Sequence, residues 1–273
     1  MRNAIAPRVS INLYITIRFS LRFETYMKAA FGEEARRADW FAMRAQLFKS
    51  SVVASVEQQT VAPRQVFVLM DTGDRDLWVQ HLDLPAPYVP LFVSGSGASD
   101  AVAARIMADR AKNVVLCRLD SDDAVSANYL EKMAGLAREF WRQGKLKAYI
   151  VACNGYITDL QQIQKIYSNC PPFISLYTRQ YKGENIFDIE HQDIVRRSPH
   201  MLGNVRWMQI VHGSNIANRT YRRSRYEPDD ERKMVIGKLD PVSSAWPKGF
   251  PPDLLVETRA VQEAWQQRSA PQP

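Results

Sequence analysis

The stretch VVLCRLDSDDA, residues 114–124, decides the fold of this chain. Its first six residues, VVLCRL, are apolar except for Arg118 and lead directly into a cluster of three aspartates. Such a run closed by a turn-forming cluster is typical of a strand buried in a sheet. Outward from it, apolar runs alternate with segments of helical periodicity: strands are predicted at residues 9–19, 65–70 and 88–93, and helices at 40–55, 100–110 and 127–142. This alternation predicts an α/β fold, in which a mostly parallel sheet is flanked by helices.

The second half of the chain has a less regular pattern. Short strands are predicted at residues 149–153, 165–167, 173–177 and 205–211, and a short helix at 188–197. Because no linker long enough to separate two domains is present, we expect a single domain over residues 8–235. An irregular, Pro-rich segment is expected over residues 236–273.

Composition excludes several classes of protein. The 273 residues are 46% hydrophobic and 24% charged, which excludes disordered, collagen-like and disulfide-stapled chains. The net charge of +7 favours anionic partners, among them nucleic acid, an anionic membrane surface and phosphorylated metabolites. Three cysteines without metal-like spacing predict a reduced, cytoplasmic protein: Cys117, Cys153 and Cys170. No apolar run reaches the roughly 18 residues of a membrane span, so neither an anchor nor a signal peptide is expected.

The aspartates that close the decisive stretch are the first candidate site. Asp120, Asp122 and Asp123 follow a buried strand, and ligands of open α/β sheets bind at the carboxyl ends of the strands. Three carboxylates within four residues repel one another, which favours a bound Mg²⁺ or Mn²⁺. A calcium loop is excluded because Ala124 and Val125 occupy its fifth and sixth positions. The alternative is that the aspartates only cap the helix predicted from residue 127.

Together with segments before and after it, RLDSDDA (residues 118–124) resembles the GT-A class of nucleotide-sugar-dependent glycosyltransferases, which has a Rossmann-like sheet. The similarity is strongest to the bacterial "putative rhamnosyltransferase" family. The matching segments keep their order over most of the chain: Arg18-Phe19-Ser20, Trp40…Arg44…Leu47-Phe48, Ser55…Gln58-Gln59, Phe67…Asp71, Ala104-Arg105, Trp207-Met208-Gln209 and His212-Gly213-Ser214-Asn215.

The resemblance implies four residues that bind the nucleotide sugar. Asp71 would contact the base, Arg105 would lie near the nucleotide, and Asp120 would approach the ribose. Arg18 would help to neutralise the departing diphosphate. Each has a structural alternative: a turn aspartate at Asp71, a solvated helical arginine at Arg105, and an ion pair at the strand end for Arg18.

The resemblance also implies a metal centre that binds Mn²⁺ or Mg²⁺. Asp122 would hold the cation that bridges the two phosphates, and Asp123 would assist it or cap the next helix. His212 begins a polar loop after the last predicted strand, where an imidazole would complete the metal or diphosphate site. The alternative for His212 is a surface residue without a ligand.

An inverting reaction needs a general base for the acceptor hydroxyl. Many relatives carry a Glu-Asp pair before a helix, whereas this chain has Glu190-His191-Gln192-Asp193. Asp193 is the first candidate, followed by His191 and Glu190. The segment also fits the polar start of a short helix.

We therefore expect a metal-dependent glycosyltransferase that moves a sugar, rhamnose by the family resemblance, from a nucleoside diphosphate to an acceptor hydroxyl. The acceptor would be a glycan or a lipid-linked precursor of a bacterial surface glycan, and the enzyme would be cytoplasmic or peripheral at the inner membrane. A nucleotidyltransferase is disfavoured because no glycine follows the first predicted strand before Gly32. The second alternative is a non-catalytic module in which RTYRRSR, residues 219–225, binds RNA or an anionic membrane. The enzyme interpretation expects no nucleic-acid partner.

Overall fold

The computed structural model describes residues 9–21, 34–187, 189–212, 225–226 and 233–269. Its strands are β1 Asn12–Arg18, β2 Gln65–Met70, β3 Tyr88–Phe92, β4 Asn113–Asp120, β5 Ala124–Val125, β6 Lys147–Ala152, β7 Asn154–Thr158, β8 Gln162–Ser168, β9 Ile174–Arg179, β10 His200–Leu202, β11 Trp207–Ile210, β12 Arg225–Tyr226 and β13 Lys233–Pro241. Its α-helices are α1 Glu34–Phe48, α2 Ala54–Glu57, α3 Arg75–His81, α4 Ala98–Ala108, α5 Tyr129–Arg142, α6 Val242–Ala245 and α7 Pro252–Ser269. One π-helical turn, Lys49–Val53, joins α1 to α2, and a 3₁₀ helix spans His191–Arg197.

The main sheet has seven strands in the order β10-β6-β9-β4-β1-β2-β3. The four strands β4, β1, β2 and β3 lie next to one another in this order and are all parallel. Strand β9 is antiparallel to both of its neighbours, β4 and β6. Arg18, at the end of β1, stands opposite Asp120, at the end of β4. The carboxyl ends of the central strands therefore form one edge, as the sequence pattern predicts.

Both faces of this sheet are buried, which explains the nearly unbroken apolar runs. Val115, Cys117 and Leu119 of β4 pack into a core cluster that contains residues of α1 and α5. Val114 and Leu116 point to the other face, into a cluster that contains residues of α4. The predicted mostly parallel sheet with helices on both faces is confirmed.

A second sheet has the order β12-β13-β8-β7-β11-β5 and brings two distant loops together. Strand β5 begins directly after the three aspartates, and β11 ends two residues before His212. These strands are antiparallel, with Met208 opposite Ala124. The pairing therefore holds the aspartate turn and the His212 loop at one place.

Trp207 anchors β11 in the core. Its ring stacks on Phe173 with centroids 4.8 Å apart, and its Nε1 donates to the carbonyl of Ala152 at 2.7 Å. A Cβ added to Gly155 would lie 2.1 Å from the Trp207 ring, so only glycine fits opposite it. Trp207 therefore serves packing, because its side chain is buried between the two sheets' core residues and stacked on Phe173.

Several sequence expectations need correction. Strands β5, β7 and β10 and helix α3 were not predicted. Within the expected irregular segment, residues 236–269 are largely regular: β13 crosses the expected boundary and α7 follows it. Leu254 and Thr258 of α7 are fully buried, and the Thr258 and Ser50 hydroxyls lie 3.0 Å apart. This helix is not evident from the sequence, because few of its described apolar side chains are buried. Val256, for example, is 67% exposed. Among the described residues, no helix combines the length and apolar character needed to cross a bilayer.

Candidate active site

The candidate site lies at the carboxyl edge of the main sheet. Arg18 and Asp120 stand side by side at the ends of β1 and β4. Asp71 directly follows β2, and the turn Ser121–Asp123 joins β4 to β5. The parallel topology thus gathers five of the sequence-predicted residues at one edge: Arg18, Asp71, Asp120, Asp122 and Asp123.

Arg44 of α1 occupies the centre of the aspartate turn. Its Nη1 donates to Asp122 Oδ2 at 2.8 Å and lies 3.1 Å from His212 Nε2, while its Nη2 donates to the Ser121 hydroxyl. His212 Nε2 is itself 2.7 Å from Asp122 Oδ2. The structure therefore joins Asp122 to His212, as expected, but it also places a guanidinium against both.

The electrostatics of the turn follow from this arrangement. Burial alone would raise the pKa of Asp122, but the Arg44 charge and the His212 hydrogen bond hold that pKa well below its ordinary value. Burial and the charges of Asp122 and Asp120 raise the pKa of Asp123 well above its ordinary value. Arg44 and His212 thus favour the ionised form of Asp122, whereas burial and the neighbouring charges favour the neutral form of Asp123. The repulsion that predicted a metal ion is relieved by the protein itself.

Asp123 has a structural position within this turn. It is 1% exposed, and its Oδ1 accepts from the backbone N–H of Ile210 at 3.2 Å, so it ties the turn to β11. Its Oδ2 is buried without a hydrogen-bond partner among the described residues.

The residues predicted to bind Mn²⁺ or Mg²⁺ do not fit a divalent cation as they stand. Arg44 contacts the expected ligand atoms of Asp122 and His212, and Asp123 is buried, which raises its pKa and disfavours the carboxylate that a cation needs. Within the described ranges, no three side chains of the types His, Cys, Asp and Glu form a group that could hold a metal. The guanidinium supplies the positive charge that these side chains need.

Arg118, two residues before Asp120 on β4, forms a second charged group at this edge. It is 4% exposed, and burial lowers its pKa, while Asp120 and Glu190 raise that pKa and Arg18 lowers it. These four side chains are therefore close enough to interact electrostatically. Arg18 also lies over the ring of Phe187, 5.9 Å from its centroid.

The structure separates the three candidates for the general base. Glu190 belongs to the Arg118 group, whereas Asp193 is 52% exposed and pairs with Arg196 at 3.1 Å on the same 3₁₀ helix. The side chain of His191 lies outside what the structure describes. The structure thus gives the first-ranked Asp193 only an exposed ion pair.

Two nucleotide-binding predictions have different outcomes. The Asp71 carboxylate accepts from the backbone N–H of Gly73 at 3.0 Å and caps a short 3₁₀ helix, which is the turn role considered for it, although it lies at the expected edge. The second prediction concerns Arg105. It lies in the last turn of α4, one turn before Asp109, which accepts from the Tyr14 hydroxyl near the start of β1. The backbone of Arg105 therefore lies nearer the amino ends of the strands than the site edge, and its role near the nucleotide stays a prediction.

Sequence reasoning missed Arg44 as a site residue, and the basic stretch at residues 219–225 gives no further evidence. Arg44 lies four residues after Trp40 and three before Leu47, on the buried side of an amphipathic helix. An arginine at such a position signals a buried partner, and only the fold shows that the partner is Asp122. Residues 219–224 and the side chain of Arg225 lie outside the described residues.

Comparisons with solved structures find matches of low similarity. TarS 1–349 of S. aureus in complex with UDP is 12% identical, with 53% of this chain and 36% of that chain covered and a TM-score of 0.29. A cytidylyltransferase from Leptospira borgpetersenii is 13% identical, with 71% and 76% covered and a TM-score of 0.37. A "putative nucleotide-diphospho-sugar transferase" from Desulfovibrio desulfuricans is 10% identical, with 73% and 80% covered and a TM-score of 0.33.

The chain thus spans little more than a third of TarS 1–349. No curated protein sequence matches it significantly. A family model described as "Putative rhamnosyl transferase" matches residues 15–224, which is more than half of the chain. This match confirms the resemblance drawn from RLDSDDA and the segments around it: the chain belongs to the "Putative rhamnosyl transferase" family of glycosyltransferases.

Proposed function

We propose that this protein transfers a sugar from a nucleoside diphosphate donor to an acceptor hydroxyl at the carboxyl edge of its main sheet. The observation that carries the proposal is the paired placement of Arg18 and Asp120 at the ends of neighbouring parallel strands. This is the edge at which open α/β sheets bind their ligands. Asp120 offers an acceptor for ribose hydroxyls, and Arg18 offers a positive charge to the leaving diphosphate.

Glu190 is the best-placed general base. It is exposed to solvent, so an acceptor can reach it, and it belongs to the charged group around Arg118 and Asp120. A carboxylate beside a bound donor can take the proton of the acceptor hydroxyl as that oxygen attacks the anomeric carbon. Glu190 therefore replaces Asp193 as the first candidate.

The donor sugar, acceptor and location are further parts of the proposal. The family description supports rhamnose as the sugar. A surface glycan or its lipid-linked precursor is the proposed acceptor, and the basic stretch at residues 219–225 would hold the cytoplasmic enzyme at an anionic inner-membrane surface. Metal dependence stays a prediction, and no step above uses a cation.

A thermal-shift panel with UDP, GDP and dTDP, each in EDTA and in Mn²⁺, tests the donor site. A ligand that binds only the native state raises the unfolding temperature, so one nucleotide should produce a shift and name the donor class. A shift that requires Mn²⁺ would support metal dependence. No shift with any nucleotide in either buffer would contradict the donor site.

Turnover of the identified donor then tests the base. Glu190→Gln should lower kcat by about 100-fold or more, because general-base catalysis contributes roughly 10²–10⁴-fold. The matched control Asp193→Asn changes a carboxylate three residues away and should retain nearly full activity. The opposite ranking would restore Asp193 as the base. Nucleotide binding without turnover of any sugar donor would favour the non-catalytic alternative.

A further inference from the structure

Arg118 is a buried cation whose guanidinium has no hydrogen-bonded or ion-paired partner among the described residues. Asp120 and Glu190 act on it only through their charges. Arg118 is only 4% exposed, and its Nε is buried without a hydrogen-bond acceptor among the described residues. No hydrogen bond or ion pair of its guanidinium is found in the described part of the chain. Arg44 makes the contrast clear, because its two terminal nitrogens contact Asp122, Ser121 and His212.

Such a group destabilises the fold unless something else satisfies it. A buried guanidinium loses its hydration, and only an anion with well-placed oxygens restores the lost interactions. The nearest position on β1 shows the same deficit: Thr16 stands opposite Arg118 in the sheet, is fully buried, and has a hydroxyl without a partner among the described residues. Two adjacent strands thus present unsatisfied donors at one level of the sheet.

The location of Arg118 indicates which anion it receives. It lies two residues before Asp120, and Arg18 adds a second positive charge close by. The planar fork of a guanidinium matches two oxygens of a phosphate group. The carboxylates of Asp120 and Glu190 would repel an anion but accept from sugar hydroxyls, which a nucleotide sugar carries on both sides of its diphosphate.

From this geometry we infer that Arg118 binds the diphosphate of the donor and stabilises it as the leaving group. The inference rests on the proposed function, since it assigns a phosphate ligand within that donor site. The inference assigns the neutralisation of the leaving group to the Arg118 guanidinium on β4. At Asp122, where a cation is expected, Arg44 provides a positive charge, and that charge is paired with Asp122 itself.

Isothermal titration with the nucleoside diphosphate found in the thermal-shift panel tests this assignment, with inorganic pyrophosphate as a second probe. Arg118→Met should weaken nucleotide binding about 10- to 100-fold in whichever buffer the wild type binds, because a charge-assisted hydrogen bond is lost. Its melting temperature should equal or exceed that of the wild type, because an unpaired buried charge is removed. A residue with only a structural role would not show this combination. Arg64→Met is the matched control and should bind like the wild type, because Arg64 is an exposed arginine that precedes β2, at the opposite edge of the sheet.

The outcomes separate the inference from the proposed function. Unchanged nucleotide affinity in Arg118→Met overturns the inference and leaves the donor site in place, as does an equal loss in Arg64→Met. Binding of neither the nucleotide nor pyrophosphate by the wild type overturns both. If Arg118→Met does not fold, Arg118→Lys decides. It keeps the charge but loses the fork, so reduced affinity supports the inference and wild-type affinity refutes it. If Arg118→Met loses affinity for pyrophosphate as well as for the nucleotide, the group that Arg118 holds is the diphosphate and not the base.

Discussion

The ion pair between Arg44 and Asp122 gives the sharpest test of how the site is held together. Arg44→Met removes the guanidinium while retaining a long apolar side chain, so packing against Trp40 is largely kept. Asp122 then stays buried beside His212 without a full positive charge. The variant should therefore unfold much more easily than the wild type.

The expected magnitude follows from the burial of the pair. The side chains of Arg44 and Asp122 are 11% and 10% exposed, and their atoms lie 2.8 Å apart. Removing one partner of a buried pair costs about 3–5 kcal/mol, because the remaining charge is uncompensated. Arg64 and Asp109 form the matched control: they are 2.9 Å apart, but their side chains are 47% and 21% exposed. Arg64→Met should cost less than about 1 kcal/mol.

Urea unfolding of the wild type, Arg44→Met, Asp122→Asn and the double variant measures the coupling directly. We expect a coupling free energy of at least about 2 kcal/mol, with the double variant more stable than the sum of the single changes allows. A coupling below about 0.5 kcal/mol would refute the buried pair. Equal losses for Arg44→Met and Arg64→Met would show that burial does not distinguish the two pairs.

Three buried positions outside the site give simpler tests. Gly155→Ala should destabilise the second sheet by about 2–3 kcal/mol in thermal unfolding, because the added Cβ would lie 2.1 Å from the Trp207 ring, and an unchanged melting temperature would contradict that packing. Leu254→Ala should cost about 2–4 kcal/mol, since Leu254 is fully buried, whereas a loss under about 0.5 kcal/mol would show that α7 does not pack on the core. Burial raises the pKa of the Cys117 thiol to about 12, so near pH 8 a thiol reagent should label the partly exposed Cys170 first and Cys117 only after unfolding. Rapid labelling of Cys117 in the native protein would contradict its burial.

The fold was largely predictable because its signals are local. The run at residues 114–119 is apolar except for Arg118, since β4 is buried on both faces, and the apolar residues of Gln65–Met70 have the same cause. Helix α7 was not predicted because its sequence shows no continuous apolar stripe. In the part of the helix whose side chains are described, Leu254 and Thr258 are the fully buried ones, and Thr258 is polar. Local patterns therefore identified the sheet and its ligand edge, but not the elements that pack with few apolar contacts.

The sequence by itself determined that three carboxylates follow a buried strand and that such a cluster needs a positive charge. It also determined the family, through segments whose order persists along the chain. Only the tertiary structure decided which side chains pair with the aspartates: Arg44 is 78 positions from Asp122, and His212 is 90 positions from it. The physical reason is that the repulsion among the aspartates follows from neighbouring residues in the sequence. The positions of Arg44 and His212 depend instead on the packing of α1 and on the pairing of β5 with β11, and no local sequence pattern predicts either.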